Sequence, residues 1–165
     1  MDKTIAELAQ RMIAYSTGNL HDINHFLKVY AYARTIGVRE GLGEADQTAL
    51  EAAALLHDIA CPLCREKYGN TNGKYQEREG GPLAAELLRD SGLPQAIADR
   101  VVYLVAHHHT PEGADGPDYQ ILLEADYLVN ADESGWSREA VRHARESLFR
   151  TETGRALLDS IYLRD

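Results

Sequence analysis

The most informative segment of the chain is AAALLHDIA, residues 52–60, in which five aliphatic residues lead directly into a histidine and an aspartate. Apolar residues in and around it recur at helical spacing along one face: Ala49, Ala52, Ala53, Leu56 and Ile59. Pro62 cannot continue a helix, so a helix over 45–60 is predicted to stop just after His57 and Asp58. A carboxylate in such apolar surroundings needs a cation or dense hydrogen bonding, because burying it unpaired is costly. This segment therefore predicts a helix end that carries a polar site.

Helical spacing continues on both sides of this segment. Further helices are predicted from Ile5 up to Gly18, over 22–41, 82–90, 94–109 and 119–129, from Ser137 onward, and over 151–163. Asp22 is the expected N-cap of the second helix and Gly41 its terminator. Pro82 and Pro94 suit the first turns of the helices that follow them. Residues 65–81 contain several Gly and Asn without apolar periodicity, which predicts a long and functional loop.

The fold class follows from this uniform pattern. No segment shows the period of a β-strand, and no internal repeat is visible. We therefore predict an all-α protein, a single helical bundle domain over 1–165. Its core is expected at about 20–132, followed by C-terminal helices at about 137–163.

Composition and charge narrow the function. The chain has 165 residues, of which 44% are hydrophobic and 26% charged, which are ordinary values for a soluble folded domain. Its formal charge of -9 disfavours binding to nucleic-acid polymers and to anionic membranes. No apolar run approaches the ~20 residues of a membrane helix, and no signal peptide is visible, so a cytoplasmic location is expected. Cys61 and Cys64 lack the second ligand pair that a structural zinc site needs.

Histidines and aspartates stand out within the helical patterns. His25 lies on the apolar stripe of the second helix, and Asp126 interrupts an otherwise apolar run, as Asp58 does. A hydrogen-bonded His-Asp pair at a helix end would explain His57 and Asp58 alone. Together, two carboxylates and two inward histidines on three helices indicate a shared divalent cation, because imidazole and carboxylate suit Fe, Mn, Zn and similar ions.

Three further histidines follow one another at His107, His108 and His109. Neighbouring helical residues point about 100° apart, so at most two of the three can face one site. His108 continues one apolar stripe of its helix and His109 another, whereas His107 follows polar positions. His108 and His109 are therefore the predicted ligands.

The order of His25, His57-Asp58 and Asp126 resembles the H…HD…D signature of the HD-domain metal-dependent phosphohydrolases. This resemblance covers most of the chain and implies an all-α fold in which these four residues bind one divalent metal. Relatives with a second metal add a histidine pair, which His108-His109 matches, and one residue after the HD loop. In this region the chain offers glutamates: Glu79 is the preferred ligand and Glu77 the alternative.

The resemblance also implies the reaction. It suggests hydrolysis of a phosphoester or phosphoanhydride by a metal-activated hydroxide, with Asp58 and His57 as catalytic residues and two divalent cations among Fe, Mn, Mg, Zn or similar ions. The expected substrate is a nucleotide or another small phosphorylated molecule, with no nucleic-acid polymer and no membrane as partner; the oligomeric state stays open. Cys61 stands where some two-metal relatives have a lysine. Phosphate contacts are therefore expected from other cations: Lys28, Arg65, Lys67, Lys74 or Arg78.

Two other classes of function remain on this scaffold. A dinuclear iron site could activate oxygen, as in a minority of HD relatives, and would consume oxygen without releasing phosphate. A metal-stabilised module could instead bind a nucleotide without turnover. Within the predicted loop, Lys74 and Arg78 are the chosen substrate contacts, and Tyr68 and Tyr75 are available to stack on a base.

Overall fold

The computed structural model describes residues 3–164, and within that range its regular structure is helical, without strands. The α-helices are α1 (Lys3–Tyr15), α2 (Leu20–Glu40), α3 (Glu44–Leu56), α4 (Cys61–Tyr68), α5 (Gly73–Leu88), α6 (Gln95–His107), α7 (Pro117–Glu133), α8 (Arg138–Ser147) and α9 (Glu152–Tyr162). A short 3-10 turn, Pro111–Gly113, precedes α7. The predicted all-α class is confirmed. Among these helices none is long and apolar enough to cross a membrane.

Helix α3 lies at the centre of the bundle. It packs against α1, α2, α6 and α7. Its second half is buried on every side, from Ala49 through Leu56, which explains why this segment is apolar almost without interruption. Around it the buried apolar side chains form one cluster that extends from Ile5 in α1 to Leu158 in α9. This cluster fixes the end of α3, where His57 and Asp58 follow.

Helix caps confirm some of the predicted boundaries and correct others. Ser137 and Thr151 cap α8 and α9, each accepting a hydrogen bond from a backbone N–H three residues on. Asp22 does not cap α2; Asn19 does, and its side chain accepts from the backbone N–H of Asp22. Gly41 ends α2 in the left-handed region, at φ 75°, as predicted.

The predicted long loop over 65–81 is wrong. Most of it is helical, in α4 and the first half of α5, and only residues 69–72 connect the two. Asn72 caps α5 through its side chain. Gly80 and Gly81 lie inside α5, and a Cβ at Gly80 would be only 3.0 Å from the side chain of Val105 in α6. These glycines therefore allow close helix packing.

Two predicted roles of proline also change. Pro62 lies in the first turn of α4 while α3 has already ended at Leu56, so a short turn that contains His57 and Asp58 separates the two helices. Pro82 does not begin a helix but lies inside α5, with its ring at the exposed surface. Its missing N–H removes one backbone hydrogen bond from that helix.

Candidate metal centre

Six of the seven predicted ligands come together from four helices, and Glu79 is the exception. His25 lies on α2 and Asp126 in the middle of α7. His57 and Asp58 directly follow the last residue of α3, and His108-His109 directly follow the last residue of α6. Helix C-termini carry partial negative charge, so two of the four helices favour a cation at this end.

His57 and His108 are held in the same way by the helices they terminate. The Nδ1 atom of His57 lies 3.0 Å from the carbonyl oxygen of Ala54, and that of His108 lies 2.9 Å from the carbonyl of Val105. Both carbonyls belong to a last helical turn, where backbone acceptors lack partners. A carbonyl oxygen only accepts, so each Nδ1 carries the proton and each Nε2 of the neutral ring presents a lone pair.

His25 is held from another helix. Its Nδ1 donates to Oε2 of Glu133, the last residue of α7, at 2.8 Å. Its Nε2 therefore also turns inward and lies 3.1 Å from Nε2 of His57. The same nitrogen is 3.7 Å from Oδ2 of Asp58 and 3.3 Å from Oδ1 of Asp126. The ligand atoms of His25, His57 and Asp58 all lie within 4.8 Å of one another and form the first candidate group, with Asp126 beside them.

A second candidate group shares Asp58 with the first. It consists of Asp58, His108 and His109. Oδ1 of Asp58 lies 3.0 Å from Nε2 of His108 and 3.8 Å from Nε2 of His109, while its Oδ2 faces His25 and His57. The two oxygens of one carboxylate thus point into two sets of imidazoles. His107 lies outside both groups, where its ring stacks on Tyr103.

The donor set fits a divalent cation. Two Nε2 lone pairs 3.1 Å apart, with both Nδ1 protons committed elsewhere, repel each other unless positive charge lies between or beside them. Carboxylate oxygens from Asp58 and Asp126 complete a mixed nitrogen and oxygen set that suits Fe, Mn or Zn. Residues His25, His57, Asp58 and Asp126 would hold one ion, and Asp58, His108 and His109 a second.

The electrostatics of the cluster agree with this chemistry. Burial alone would lower the pKa of His25, but the hydrogen bond and charge of Asp126, with Asp58 and Glu133, raise that pKa to about 9. Burial opposes ionisation of Asp58 and Asp126 too, yet the surrounding histidines hold the pKa of both carboxyls well below the usual range. Burial and the neighbouring His108 lower the pKa of His109 to about 4. The carboxylates therefore stabilise positive charge at this point.

A cavity of about 230 Å³ opens onto the cluster. Its walls include four predicted ligands, His25, Asp58, His109 and Asp126, and other residues that the sequence did not single out as ligands. Among the latter are Cys61, Gln76 and Asn130. The thiol of Cys61 donates to Oε1 of Gln76 at 3.3 Å, and Asn130 donates to Oδ1 of Asp126 at 2.8 Å.

The glutamates proposed for the second metal are not brought into this cluster. The carboxylate of Glu79 accepts from Lys67 at 2.8 Å and from the hydroxyl of Tyr68 at 2.5 Å. That of Glu77 accepts from the backbone N–H of His109 and from the hydroxyl of Thr110. On α5 it is Gln76 that lines the cavity. Glu77 lies on another side of that helix, whereas Glu79, one turn after Gln76, is held by Lys67 and Tyr68 of α4.

The predicted substrate contacts are also rearranged. Lys74 lies over the ring of Tyr75, and Arg78 is exposed next to Glu79, and neither lines the cavity. The rings of Tyr68 and Tyr75 stack on each other with centroids 4.0 Å apart. Each of these two rings therefore has one face covered by the other ring.

The cation that does line the cavity is Arg65, which bonds both oxygens of Asp22 at 2.7 and 2.8 Å. Lys28 lies nearby and donates to Glu133 at 3.1 Å. Gln76 carried no signal in the sequence. Glu133 follows Asp126 by seven residues, a spacing that places both on one face of a helix, but the predicted helix ends at 129 whereas α7 continues to Glu133.

The fold and the site define an all-helical protein with two adjoining groups of histidine and aspartate ligands. The family model for the HD domain matches residues 10–134, so the chain belongs to the HD domain family. A solved structure from an uncultured Thermotogales bacterium, described as a predicted HD superfamily hydrolase, is 26% identical and has a TM-score of 0.72. That match covers 96% of this chain and 84% of the other. Among curated proteins, none matches the sequence. The family match, the structural neighbour and the two ligand groups together support a metal-dependent hydrolase family.

Proposed function

We propose that the chain is a phosphohydrolase that acts on a small phosphorylated molecule. In this reaction water adds to phosphorus, a P–O bond breaks, and phosphate and an alcohol, or two phosphates, leave. A nucleotide is one such substrate, and the cavity of about 230 Å³ would accept its phosphoryl end. The observation that carries the proposal is that the two oxygens of Asp58 face two separate sets of imidazole nitrogens.

The charges of the cavity walls favour an anionic substrate only if divalent cations are bound there. The described residues that line the cavity include four carboxylates, on Asp22, Asp58, Asp126 and Glu133, against the single guanidinium of Arg65. Asp22 is neutralised by that guanidinium. The remaining carboxylates would repel a phosphate group. Divalent cations at the two candidate groups would reverse this sign, lower the pKa of a bound water toward about 7 and stabilise charge on the phosphoryl oxygens.

The chain's own residues then have distinct tasks. Asp58 and Asp126 supply carboxylate oxygens, and His57 and His108 supply Nε2 atoms whose direction is fixed by their own helices. Arg65 keeps N–H groups beyond those bonded to Asp22, because a guanidinium has five such donors. It is the proposed phosphate contact, in place of Lys74 and Arg78, with Lys28 at the rim.

The experiment compares two neighbouring acids of α7. Full-length protein purified without chelators is assayed for bound metal and for phosphate release from a panel of nucleotides and sugar phosphates. Asp126→Asn should lose metal and activity. The matched control Glu124→Gln, two residues away and outside the cavity, should retain both.

The outcomes separate the candidate functions. Metal-dependent phosphate release that is lost in Asp126→Asn supports the proposal. Oxygen consumption without phosphate release would replace the phosphohydrolase by a dinuclear iron oxygenase. Tight nucleotide binding without product would instead indicate a metal-stabilised binding module. Equal activity in wild type and Asp126→Asn would contradict the placement of the reaction at this cluster.

A further inference from the structure

Glu133 connects three basic side chains of α2 to the end of α7. Its Oε2 accepts from Nδ1 of His25 at 2.8 Å, and its Oε1 accepts from Nζ of Lys28 at 3.1 Å. Nε2 of His21 lies 3.8 Å from the same carboxylate. The side chain of Glu133 is only 12% exposed, so these contacts act in partly desolvated surroundings where charge interactions are strong.

His25 differs from His57 and His108 in the group that accepts its Nδ1 hydrogen bond. His57 and His108 donate to backbone carbonyls three residues before them, so their orientation is built into α3 and α6. His25 instead depends on a side chain 108 residues away in the sequence. Of these three rings, His25 is the one whose direction can be changed by a single substitution elsewhere.

The acceptor also matters chemically. A carboxylate that accepts a hydrogen bond from Nδ1–H of an imidazole fixes the tautomer and makes Nε2 a better metal ligand. Asp126, Asn130 and Glu133 lie on one face of α7, at positions i, i+4 and i+7. Asn130 donates to Asp126 at 2.8 Å while Glu133 holds His25, so this face orients two side chains of the first group.

We propose that Glu133 is a positioning residue that orients His25 and sets the affinity of the His25, His57 and Asp58 group for a divalent cation. Glu133 acts through His25, because it bonds Nδ1 of that ring while Nε2 faces the other ligands. Lys28 holds the second oxygen and thereby fixes the carboxylate. The inference rests on the metal-binding part of the proposed function and is independent of which bond is hydrolysed.

The test is a Co²⁺ titration of the chelator-stripped full-length protein, followed by visible absorption. Glu133→Gln keeps the size of the side chain and an oxygen acceptor but removes the charge. We expect the apparent Kd of the first group to rise about 10- to 100-fold. The matched control is Glu51→Gln, which alters a buried carboxylate of α3 that bonds Arg34 and Gln47 away from the cavity. Its Kd should equal that of wild type.

A double-mutant cycle separates positioning from general loosening of the fold. Because Glu133 acts through His25, Glu133→Gln should add no further loss of Co²⁺ affinity to His25→Ala. An additional loss in that background would overturn the inference, and so would an unchanged Kd in Glu133→Gln or an equal loss in Glu51→Gln. If wild type itself binds no Co²⁺, the metal centre of the proposed function fails, and the inference with it. Circular dichroism verifies that each variant is folded.

Discussion

Two acidic residues of α7 lie two positions apart and have opposite surroundings. Glu124 is fully buried and accepts four hydrogen bonds: from the backbone N–H groups of Arg150 and Thr151, from the Thr151 hydroxyl and from the Gln120 amide. Asp126 faces Nε2 of His25 and of His57 at 3.3 and 3.4 Å. One carboxylate is surrounded by structural donors, whereas the other lies among imidazole nitrogens that are themselves possible metal ligands.

This difference separates a structural acid from a ligand. Glu124 is satisfied by the protein alone, and it fastens the turn between α8 and α9 onto α7. Gly154 makes this possible, since any Cβ there would collide with the Glu124 carboxylate. Asp126 and Asp58 face imidazole nitrogens that could bind a metal, so a divalent cation would complete their surroundings. A buried acid in an apolar helix therefore indicates a metal only if its neighbours are themselves ligands.

The largest expected effect is at Asp58, the carboxylate common to both groups. Asp58→Ala removes a ligand from each, so metal affinity should fall by more than about a hundredfold and phosphate release should be lost. Metal content by mass spectrometry, with a thermal melt to verify folding, measures this. A variant that retains two equivalents of metal would show that Asp58 is not the shared ligand.

Glu124 should respond in the opposite manner. Glu124→Ala leaves buried donors of the α8–α9 turn unpaired, which should lower the free energy of unfolding by about 2–4 kcal/mol. Metal content at a temperature where the variant is folded should equal that of wild type. Urea unfolding monitors the first quantity and mass spectrometry the second. Loss of metal from Glu124→Ala without loss of stability would show that Glu124 is not a purely structural acid and does not differ from Asp126 in this way.

Arg65 tests which cation meets the substrate. Arg65→Met should raise KM for an anionic phosphoester about tenfold or more with bound metal unchanged, because a charged hydrogen bond to phosphate is lost. Lys74→Met is the matched control, since Lys74 is exposed and lies over Tyr75 outside the cavity. Equal KM values in Arg65→Met and wild type would assign the phosphate contact to Lys28 or to the metals alone.

The smallest effect concerns Asp22, a third kind of buried acid, paired with a guanidinium. Burial alone would raise the pKa of Asp22, but the two hydrogen bonds and the charge of Arg65 outweigh it and lower the pKa. A depressed pKa contributes stability above the unfolded value of about 3.9, and that stability is lost as pH falls through the folded pKa. The difference in unfolding free energy between wild type and Asp22→Asn should therefore shrink between pH 6 and pH 3. A constant difference in urea unfolding would contradict this pairing.

The sequence predicted the helices that have regular apolar spacing, and it predicted the histidines and aspartates that the structure groups. It misplaced the region around α4 and α5, because the Gly and Asn residues of 65–81, without apolar periodicity, favour a loop, whereas Gly80 and Gly81 allow α5 to pack closely against α6. Apolar spacing alone does not distinguish Glu124 from Asp126, since both interrupt the same apolar run, and only the H…HD…D resemblance selects Asp126. What separates them is the turn after α8, which lies more than twenty residues further along the chain.

The same reason explains the second ligand group. The sequence places Glu77 and Glu79 in the predicted loop over 65–81. A loop does not fix the direction of its side chains, so either glutamate could be expected to reach the metals. In the helix α5, Gln76 lines the cavity, Glu77 lies on another side, and Glu79 is held away by Lys67 and Tyr68 of α4. The identity of a ligand therefore depended on the secondary structure assigned to its neighbours.

The most direct test of the metal centre is a crystal structure of the full-length protein soaked with Mn²⁺, with data collected for anomalous scattering. We predict one anomalous peak within ligand distance of His25, His57, Asp58 and Asp126, and a second next to Asp58, His108 and His109, with Asp58 contacting both. The absence of a peak at the first group, or a peak coordinated by Glu79, would contradict the account.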